Sequence, residues 1–275
     1  MKGIIFVPAV EQTRWVEELL PGITPAELPI AGKRYIDYAL EYASNNGYEM
    51  AEILDWRYSD KLAADFSDLT GFPFPIFYQK GNGDLPKSPE DLKGQSTPLT
   101  QDLEDDITVV WGLRLGDFEI KNVADWHKIN MDILSAASAG DTSYTLPGYS
   151  AEGGVFLGRN VVMENGFEAK KPVLVQDDVW CSRNVRLDGH CIIGKGSVID
   201  EGAHLERTVV GDDTYIGIGL DLVDKLVMGH RIIDAKTGVW TDVEEPGVAR
   251  GIGKGPGIWR RILNFLRGET DWRMS

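Results

Sequence analysis

A six-residue period in the second half of the chain constrains the fold more than any other feature. From Val175 onward every sixth residue is aliphatic or cysteine, and four places after each comes a small or β-branched residue. The first column is Val175, Cys181, Leu187, Ile193, Ile199 and Leu205, and the second is Val179, Val185, Cys191, Ser197, Ala203 and Val209. The frame then shifts by one residue to Val210 and Ile216, and it extends backwards to Leu157 and Met163.

A three-sided coil explains this period. Each side places one large aliphatic residue inward and then turns a corner, where Gly, Asp or Asn accepts an unusual backbone angle. One turn of such a coil cannot bury its inner face alone, so the turns must stack. The pattern predicts a parallel β-helix over residues 155–245, in preference to ordinary antiparallel strands. Cys181 and Cys191 lie in the inward columns, and we expect buried free thiols rather than a disulfide or zinc site.

Residues 1–140 alternate strand and helix patterns. Such alternation predicts a parallel sheet with helical crossovers. The expected strands are Lys2–Ala9, Met50–Trp56, Pro75–Gln79 and Ile107–Trp111, and the expected helices are Lys33–Asn46, Ser59–Leu69 and Val123–Ala139. Residues 81–98 are expected to form a loop, and residues 141–154 a linker between the two domains.

The net charge limits the partners of the chain. Its 275 residues carry a formal charge of -15 at pH 7, which argues against binding to nucleic acid. The short apolar run at the start is followed at once by Glu11 and Arg14 without a cleavage site, so we expect a buried strand there rather than a signal peptide. No run approaches the roughly 20 apolar residues that span a bilayer. A cytoplasmic protein is therefore expected.

Several segments have the character of a known enzyme family. They are the opening Met1–Ala9, the pair Thr13-Arg14, the stretch Glu27–Lys33, the helix Val123–Leu134 and the segment Met228–Asp234. Together with the order of the two domains, these segments resemble the sugar-phosphate nucleotidyltransferases, in their mannose-1-phosphate guanylyltransferase and glucose-1-phosphate thymidylyltransferase branches.

The resemblance implies an α/β + β fold, with a shortened Rossmann-like nucleotidyltransferase domain before a left-handed parallel β-helix. It implies a homo-oligomer, trimeric or larger, formed through the β-helix, and a nucleotide or sugar-phosphate ligand. By position in the family's motifs, Pro8, Ala9, Thr13 and Arg14 would bind the nucleotide. Arg14, Lys33 and Asp117 are the candidate catalytic residues, and Asp117 would also hold Mg²⁺ if nucleotidyl transfer takes place.

Three departures from the family pattern bear on activity. The loop Pro8–Arg14 has no glycine, and Glu11 stands where the family places phosphate. Pro25–Glu27 supplies no lysine at the family's catalytic position, and Gly112-Leu113 replaces its metal-binding Gly-Asp, although Gly116-Asp117 follows shortly afterwards. These departures, together with a short domain, predict a degenerate binding or scaffold subunit of nucleotide-sugar and surface-polysaccharide metabolism. The alternative is an active pyrophosphorylase of nucleoside-diphosphate sugars with an altered site.

Two further features leave alternatives open. Hexapeptide-repeat coils also belong to acyltransferases with a histidine base, for which His190 and His204 are candidates, with His230 after the last repeat. Residues 246–275 contain a Gly-rich lead-in and then a basic amphipathic segment, 257–268, whose apolar residues can share one helix face. This segment could cap the coil, contact another protein or lie peripherally on a membrane.

Overall fold

A computed structural model describes residues 2–67, 72–87, 92, 107–141 and 143–252. The chain divides into two compact units, Met1–Phe156 with Ala235–Val239, and Leu157–Asp234 with Trp240–Ser275. The amphipathic segment 257–268 lies outside the described residues. Within the described part of the chain, no helix has both the length and the apolarity that crossing a membrane requires.

The first unit is built on a four-stranded parallel sheet. Its helices are α1 Trp15–Leu19, α2 Tyr35–Asn45, α3 Asp60–Ser67 and α4 Val123–Ser138. Its strands are β1 Gly3–Val7, β2 Pro29–Ile30, β3 Lys33–Arg34, β4 Met50–Asp55, β5 Ile76–Lys80, β6 Ile107–Trp111, β7 Arg114–Leu115, β8 Phe118–Glu119 and β9 Tyr149–Glu152, and β10 Val155–Leu157 continues into the second unit. The sheet order is β5-β4-β1-β6, and all its pairs are parallel, which confirms the expected Rossmann-like sheet.

The sheet forms because its central strand is apolar on both faces. All five residues of β1 are buried, as expected for a parallel strand covered on both sides. Helix α4 begins at a cap in which the side chain of Asn122 accepts a hydrogen bond from the Asp125 amide. The buried indole of Trp126 then donates to the Pro29 carbonyl at 2.6 Å and joins this helix to the β2-β3 hairpin.

The second unit consists of short strands that stack in three interleaved sheets. Its strands are β11 Val162–Met163, β12 Glu168–Lys170, β13 Val173–Val175, β14 Trp180–Cys181, β15 Arg186–Asp188, β16 Cys191–Ile193, β17 Val198–Ile199, β18 His204–Glu206, β19 Val209–Val210, β20 Thr214–Ile216, β21 Asp221–Val223, β22 Lys225–Met228, β23 Arg231–Asp234, β24 Trp240–Asp242 and β25 Ala249–Gly251. Strands β11-β14-β17-β20, β12-β15-β18-β21 and β13-β16-β19-β22 pair in parallel, consistent with the predicted β-helix. The handedness of this coil stays a prediction.

The inward columns form the core of the coil. All six residues of the first column, including Cys181, are 0% exposed and belong to one cluster. Both cysteines are free and buried, and burial raises the pKa of each thiol to about 12. They therefore pack as small apolar side chains.

The prediction was wrong for one position of the second column, Val209. Val175 pairs with Ile193, 18 residues on, but Ile193 pairs with Val210, only 17 residues on. This turn of the coil is one residue shorter because its corner has one residue with positive φ, Arg207 at 42°. The equivalent corner of the preceding turn has two, Gly189 and His190. As a result Thr208 is fully buried and donates to the Leu222 carbonyl, while Val209 pairs with Ile192 outside the core cluster.

Candidate functional site

The first unit has a crevice at the carboxyl ends of three neighbouring parallel strands. Ligands of open α/β sheets bind at this edge. The crevice has a volume of about 320 Å³ and is lined by Glu11 and Arg14 after β1, Trp56 and Arg57 after β4, and Gly83, Asp84, Leu85 and Lys87 after β5. It is therefore the candidate functional site.

The buried side chain of Thr13 joins backbone groups of the loop after β1 through hydrogen bonds. Its Oγ1 accepts a hydrogen bond from the Val10 amide at 3.0 Å. The same hydroxyl lies 3.0 Å from the Pro8 carbonyl and 2.9 Å from the Val10 carbonyl, so its proton is shared between them. The loop is thus held by hydrogen bonds between its own polar groups.

The amides of this loop are largely used within the protein. Besides Val10, the Thr13 amide donates to the Val10 carbonyl at 3.0 Å, and the Arg14 amide to the Glu11 carbonyl at 3.4 Å. The Glu11 amide donates to the carbonyl of Pro86 at 3.2 Å. Phosphate-binding loops instead aim successive amides at the anion. This loop offers few amides for that purpose.

Charged side chains of both signs line the crevice. The Glu11 carboxylate lies 3.1 Å from the Arg14 guanidinium, and both side chains are well exposed. Arg57 forms an ion pair with Glu17 of α1. Arg14, Arg57 and Lys87 make the crevice attractive to a small anion, whereas Glu11 and Asp84 oppose one.

Trp56 is fixed in the wall of the crevice. Its Nε1 donates to the Asn82 carbonyl at 3.1 Å, and the ring packs flat on Gly81. A Cβ on Gly81 would lie 2.2 Å from the indole, so only glycine allows this approach. The indole therefore forms a rigid apolar surface beside the cationic side chains.

Asp55 lies buried at the end of β4, directly before Trp56 and Arg57. Its carboxylate accepts hydrogen bonds from the Arg57 amide at 2.9 Å and the Tyr78 hydroxyl at 3.0 Å. Burial outweighs these bonds and raises the pKa of this carboxyl from 3.8 to about 6. Asp55 thus positions the start of the loop that carries Arg57, and no pattern in the sequence singled it out.

Only one of the predicted nucleotidyltransferase residues lines the crevice. That residue is Arg14, since Pro8, Ala9 and Thr13 are buried behind it. Lys33 lies in β3, where its Nζ forms an ion pair with Glu41 and donates to the Thr145 hydroxyl at 2.7 Å. Asp117 is exposed in the turn of the β7-β8 hairpin. Arg57 and Lys87, which the sequence analysis missed, both come from loops that follow strands.

The described residues do not fit a metal site held by the protein. Among them, no group of three or more His, Cys, Asp or Glu side chains is placed to hold an ion. Asp117, the predicted ligand, is in an exposed turn, and the position after Gly112 is occupied by the buried Leu113.

The predicted acyltransferase histidines lie on the second unit. His204 is on β18, and its Nδ1 lies 2.9 Å from Asp221 while its Nε2 lies 3.0 Å from Asp188. A general base needs a ring nitrogen that is open to substrate. Carboxylates contact both ring nitrogens of His204, so this side chain is poorly placed for that role. His190 forms a corner at φ 52°, and the side chain of His230 lies 3.8 Å from Asp242.

Comparison with known proteins links the chain to nucleotidyltransferases over part of its length. No family model matches the sequence. Over 132 residues, 46% of this chain, it is 33% identical to a UTP–glucose-1-phosphate uridylyltransferase of Synechocystis sp.. The chain spans only 33% of the length of that relative.

Two solved structures that resemble the chain are acetyltransferases, but the likeness is remote. The acetyltransferase domain of PglB from Neisseria gonorrhoeae is 14% identical, covering 83% of this chain and 97% of that one, with a TM-score of 0.21. A histidine-to-asparagine mutant of perosamine N-acetyltransferase from Caulobacter crescentus is 13% identical, covering 83% and 94%, with a TM-score of 0.22. At these TM-scores the two structures carry no argument about activity.

Proposed function

We propose that this protein is a nucleotidyltransferase-like binding or scaffold subunit of nucleotide-sugar and surface-polysaccharide metabolism that does not itself transfer a nucleotide. The observation that carries the proposal is the loop after β1, most of whose amides donate to acceptors within the protein. Glu11 also contributes a carboxylate to the lining of the crevice and forms an ion pair with Arg14. Nucleotidyl transfer depends on donors and cations that neutralise charge as it develops.

The crevice supports binding of a phosphorylated ligand as the retained activity. Arg14, Arg57 and Lys87 supply positive charge, and Trp56 supplies an apolar surface beside them. The partial similarity to a uridylyltransferase makes uridine nucleotides and sugar phosphates the ligands to test first. The alternative, an active enzyme with an altered site, would have to use Arg57 and Lys87 in place of the family's lysine.

We expect the Glu11→Gln substitution to tighten the binding of UTP about fivefold. Removing the carboxylate eliminates a repulsion that is worth about 1 kcal/mol for unit charges about 4 Å apart in water, and it releases Arg14 toward the ligand. Isothermal titration of the full chain with UTP, and separately with pyrophosphate, measures the change.

The matched control is Glu18→Gln, which makes the same change of charge at an exposed position of α1. We expect it to leave the affinity for UTP within twofold of the wild type. An equal gain in both variants would show that only net charge matters. No gain in Glu11→Gln would place the anion away from this loop and contradict the proposed site.

A further inference from the structure

Strand β6 forms an open edge of the parallel sheet in the first unit. The sheet order is β5-β4-β1-β6, so among the described strands β1 alone pairs with β6. The middle residue of β6, Val109, is 41% exposed, and its neighbour Thr108 is exposed as well. The structure therefore leaves this edge accessible to solvent.

This edge lacks the features that normally prevent edge strands from associating. Exposed edges usually carry a charged residue, a proline or a bulge. All five residues of β6 are uncharged, and each is β-branched or aromatic, the types that favour strands. The chain as a whole has a net charge of -15, which opposes the approach of two copies. At the uncharged strand β6 this repulsion is weakest.

Half of the backbone groups of β6 point away from the sheet. Trp111 pairs with Val7, and the Gly112 amide donates to the Val7 carbonyl at 2.9 Å. Because the direction of hydrogen bonding alternates along a strand, Thr108 and Val110 also bond toward β1. The amides and carbonyl groups that face the open edge are therefore those of every second residue, Ile107, Val109 and Trp111.

Val109 leaves a gap in the apolar cover of one sheet face. Side chains alternate between the two faces, so Ile107, Val109 and Trp111 share one of them. Ile107 and Trp111 are half-buried and pack against the cluster that contains Val7 and Leu54. Val109, between them, is the most exposed of the three. A neighbouring strand would cover it.

The sequence of β6 suits pairing with a second copy of itself. In an antiparallel pair, two residues whose backbone groups face each other exchange both hydrogen bonds. With a two-fold axis at Val109, this residue lies opposite Val109 of the second copy, and Ile107 lies opposite Trp111. All the backbone groups at the edge are then paired. On the other face Thr108 lies opposite Val110, so every cross-strand pair joins β-branched or aromatic side chains, which stabilise sheets.

A groove beside the strand leaves room for the second copy. It has a volume of about 250 Å³, and Tyr42, Tyr48 and Arg114 line it together with most of β6. The Tyr48 hydroxyl donates to the Thr108 hydroxyl at 3.0 Å and so fixes one wall of the groove. The Arg114 guanidinium lies 3.2 Å from Glu119, so its charge is compensated within the same subunit. The groove is thus suited to an identical, uncharged strand.

We propose that two copies of this chain associate through antiparallel pairing of β6 with β6, which joins their parallel sheets into one continuous sheet. The interface is isologous, with its two-fold axis at Val109. It lies in the first unit, and it is independent of association through the coil and of nucleotide binding.

Charged substitutions at position 109 test the axis in the full chain. Val109→Lys places like charges opposite each other across the axis, and Val109→Glu does the same with the other sign. We expect the sedimenting mass of either variant to be half that of the wild type or less, and an equimolar mixture of the two to recover the wild-type mass. Val239→Lys is the control, because Val239 is exposed in a turn away from this edge. Its mass should be unchanged.

Hydrogen exchange of the wild type tests the pairing without any substitution. The Val109 amide should exchange at least about tenfold more slowly at high than at low protein concentration, because only the second copy protects it. Fast exchange at every concentration would overturn the proposal. Protection that does not depend on concentration would also overturn it, since the same chain would then cover the edge.

The sedimentation data can contradict the proposal in three further ways. The first is a Val109→Lys mass equal to that of the wild type, and the second is an equal loss of mass in Val239→Lys. The third is a mixture of Val109→Lys and Val109→Glu that does not recover the wild-type mass although both variants have wild-type circular dichroism. If either variant is unfolded, the exchange of the wild type decides.

Discussion

The Gly194→Ala substitution is expected to lower the free energy of unfolding of the coil by about 3 kcal/mol. A Cβ at this corner would lie 2.5 Å from both the Asp212 amide nitrogen and the Gly211 carbonyl carbon of the next turn. Both are backbone atoms, so the turns of the coil would have to move apart. Overpacking of this kind costs about 1–3 kcal/mol and sometimes more. Urea unfolding followed by circular dichroism measures the loss.

Gly247→Ala provides the control for this prediction. A Cβ there meets only the Glu245 carboxylate, at an ordinary contact distance of 3.6 Å. We expect its unfolding midpoint to match the wild type. Faster hydrogen exchange at Ile193 and Val210 in Gly194→Ala would localise the damage to the stacked strands, which pair there. A wild-type midpoint for Gly194→Ala would mean that the turns are not packed as described.

The Asp55→Asn substitution is expected to stabilise the first unit by about 2–3 kcal/mol at pH 8. Its carboxyl has a pKa of about 6 in the folded chain against 3.8 ordinarily, so the folded state binds the proton more tightly. The stability that the protonated Asp55 carboxyl contributes to the folded wild type is fully present below pH 4, and it is lost as the pH rises to 6. Above pH 6 the buried carboxylate costs about 3 kcal/mol. An asparagine avoids this cost and can still accept from the Arg57 amide.

The pH profile separates this explanation from a general effect of charge. The advantage of Asp55→Asn should shrink toward zero as the pH falls from 6 to 4, when the wild-type carboxyl is protonated. Asp117→Asn removes a charge from an exposed turn and should leave the midpoint unchanged at every pH. An advantage for Asp55→Asn that does not vary with pH would contradict the account. Urea titrations at several pH values provide the data.

The sequence predicted the parts of the fold in which one local pattern repeats or is strongly apolar. The column from Val175 to Leu205 is fully buried, as expected, because every turn of the coil imposes the same requirement. Strand β6 was predicted with its observed ends. The β7-β8 hairpin was missed because strands of two residues leave no periodic signal. The count in sixes revealed the shift of one residue before Val210 but not where in that stretch it falls, so it placed Val209 in the inward column where the structure has Thr208.

The candidate site was less predictable, because it is assembled by the sheet. Arg14, Arg57 and Lys87 are far apart in the chain and meet only because parallel strands end at one edge. Lys33 fits the family motif by position, but its ion pair with Glu41 follows from the packing of α2 beside β3. The family motifs therefore identified the type of domain. Which charged residues line the crevice could be read only from the structure.

A turnover assay tests the central claim most directly. The full chain is incubated with Mg²⁺, each nucleoside triphosphate and either glucose-1-phosphate or mannose-1-phosphate, and pyrophosphate release is measured beside an active UTP–glucose-1-phosphate uridylyltransferase. Loss of one preorganised donor typically costs a factor of about 100–1,000, so with most loop amides occupied we predict a rate at least about a thousandfold below the control. Magnesium-dependent release within tenfold of the control, abolished by Arg14→Ala, would contradict the account.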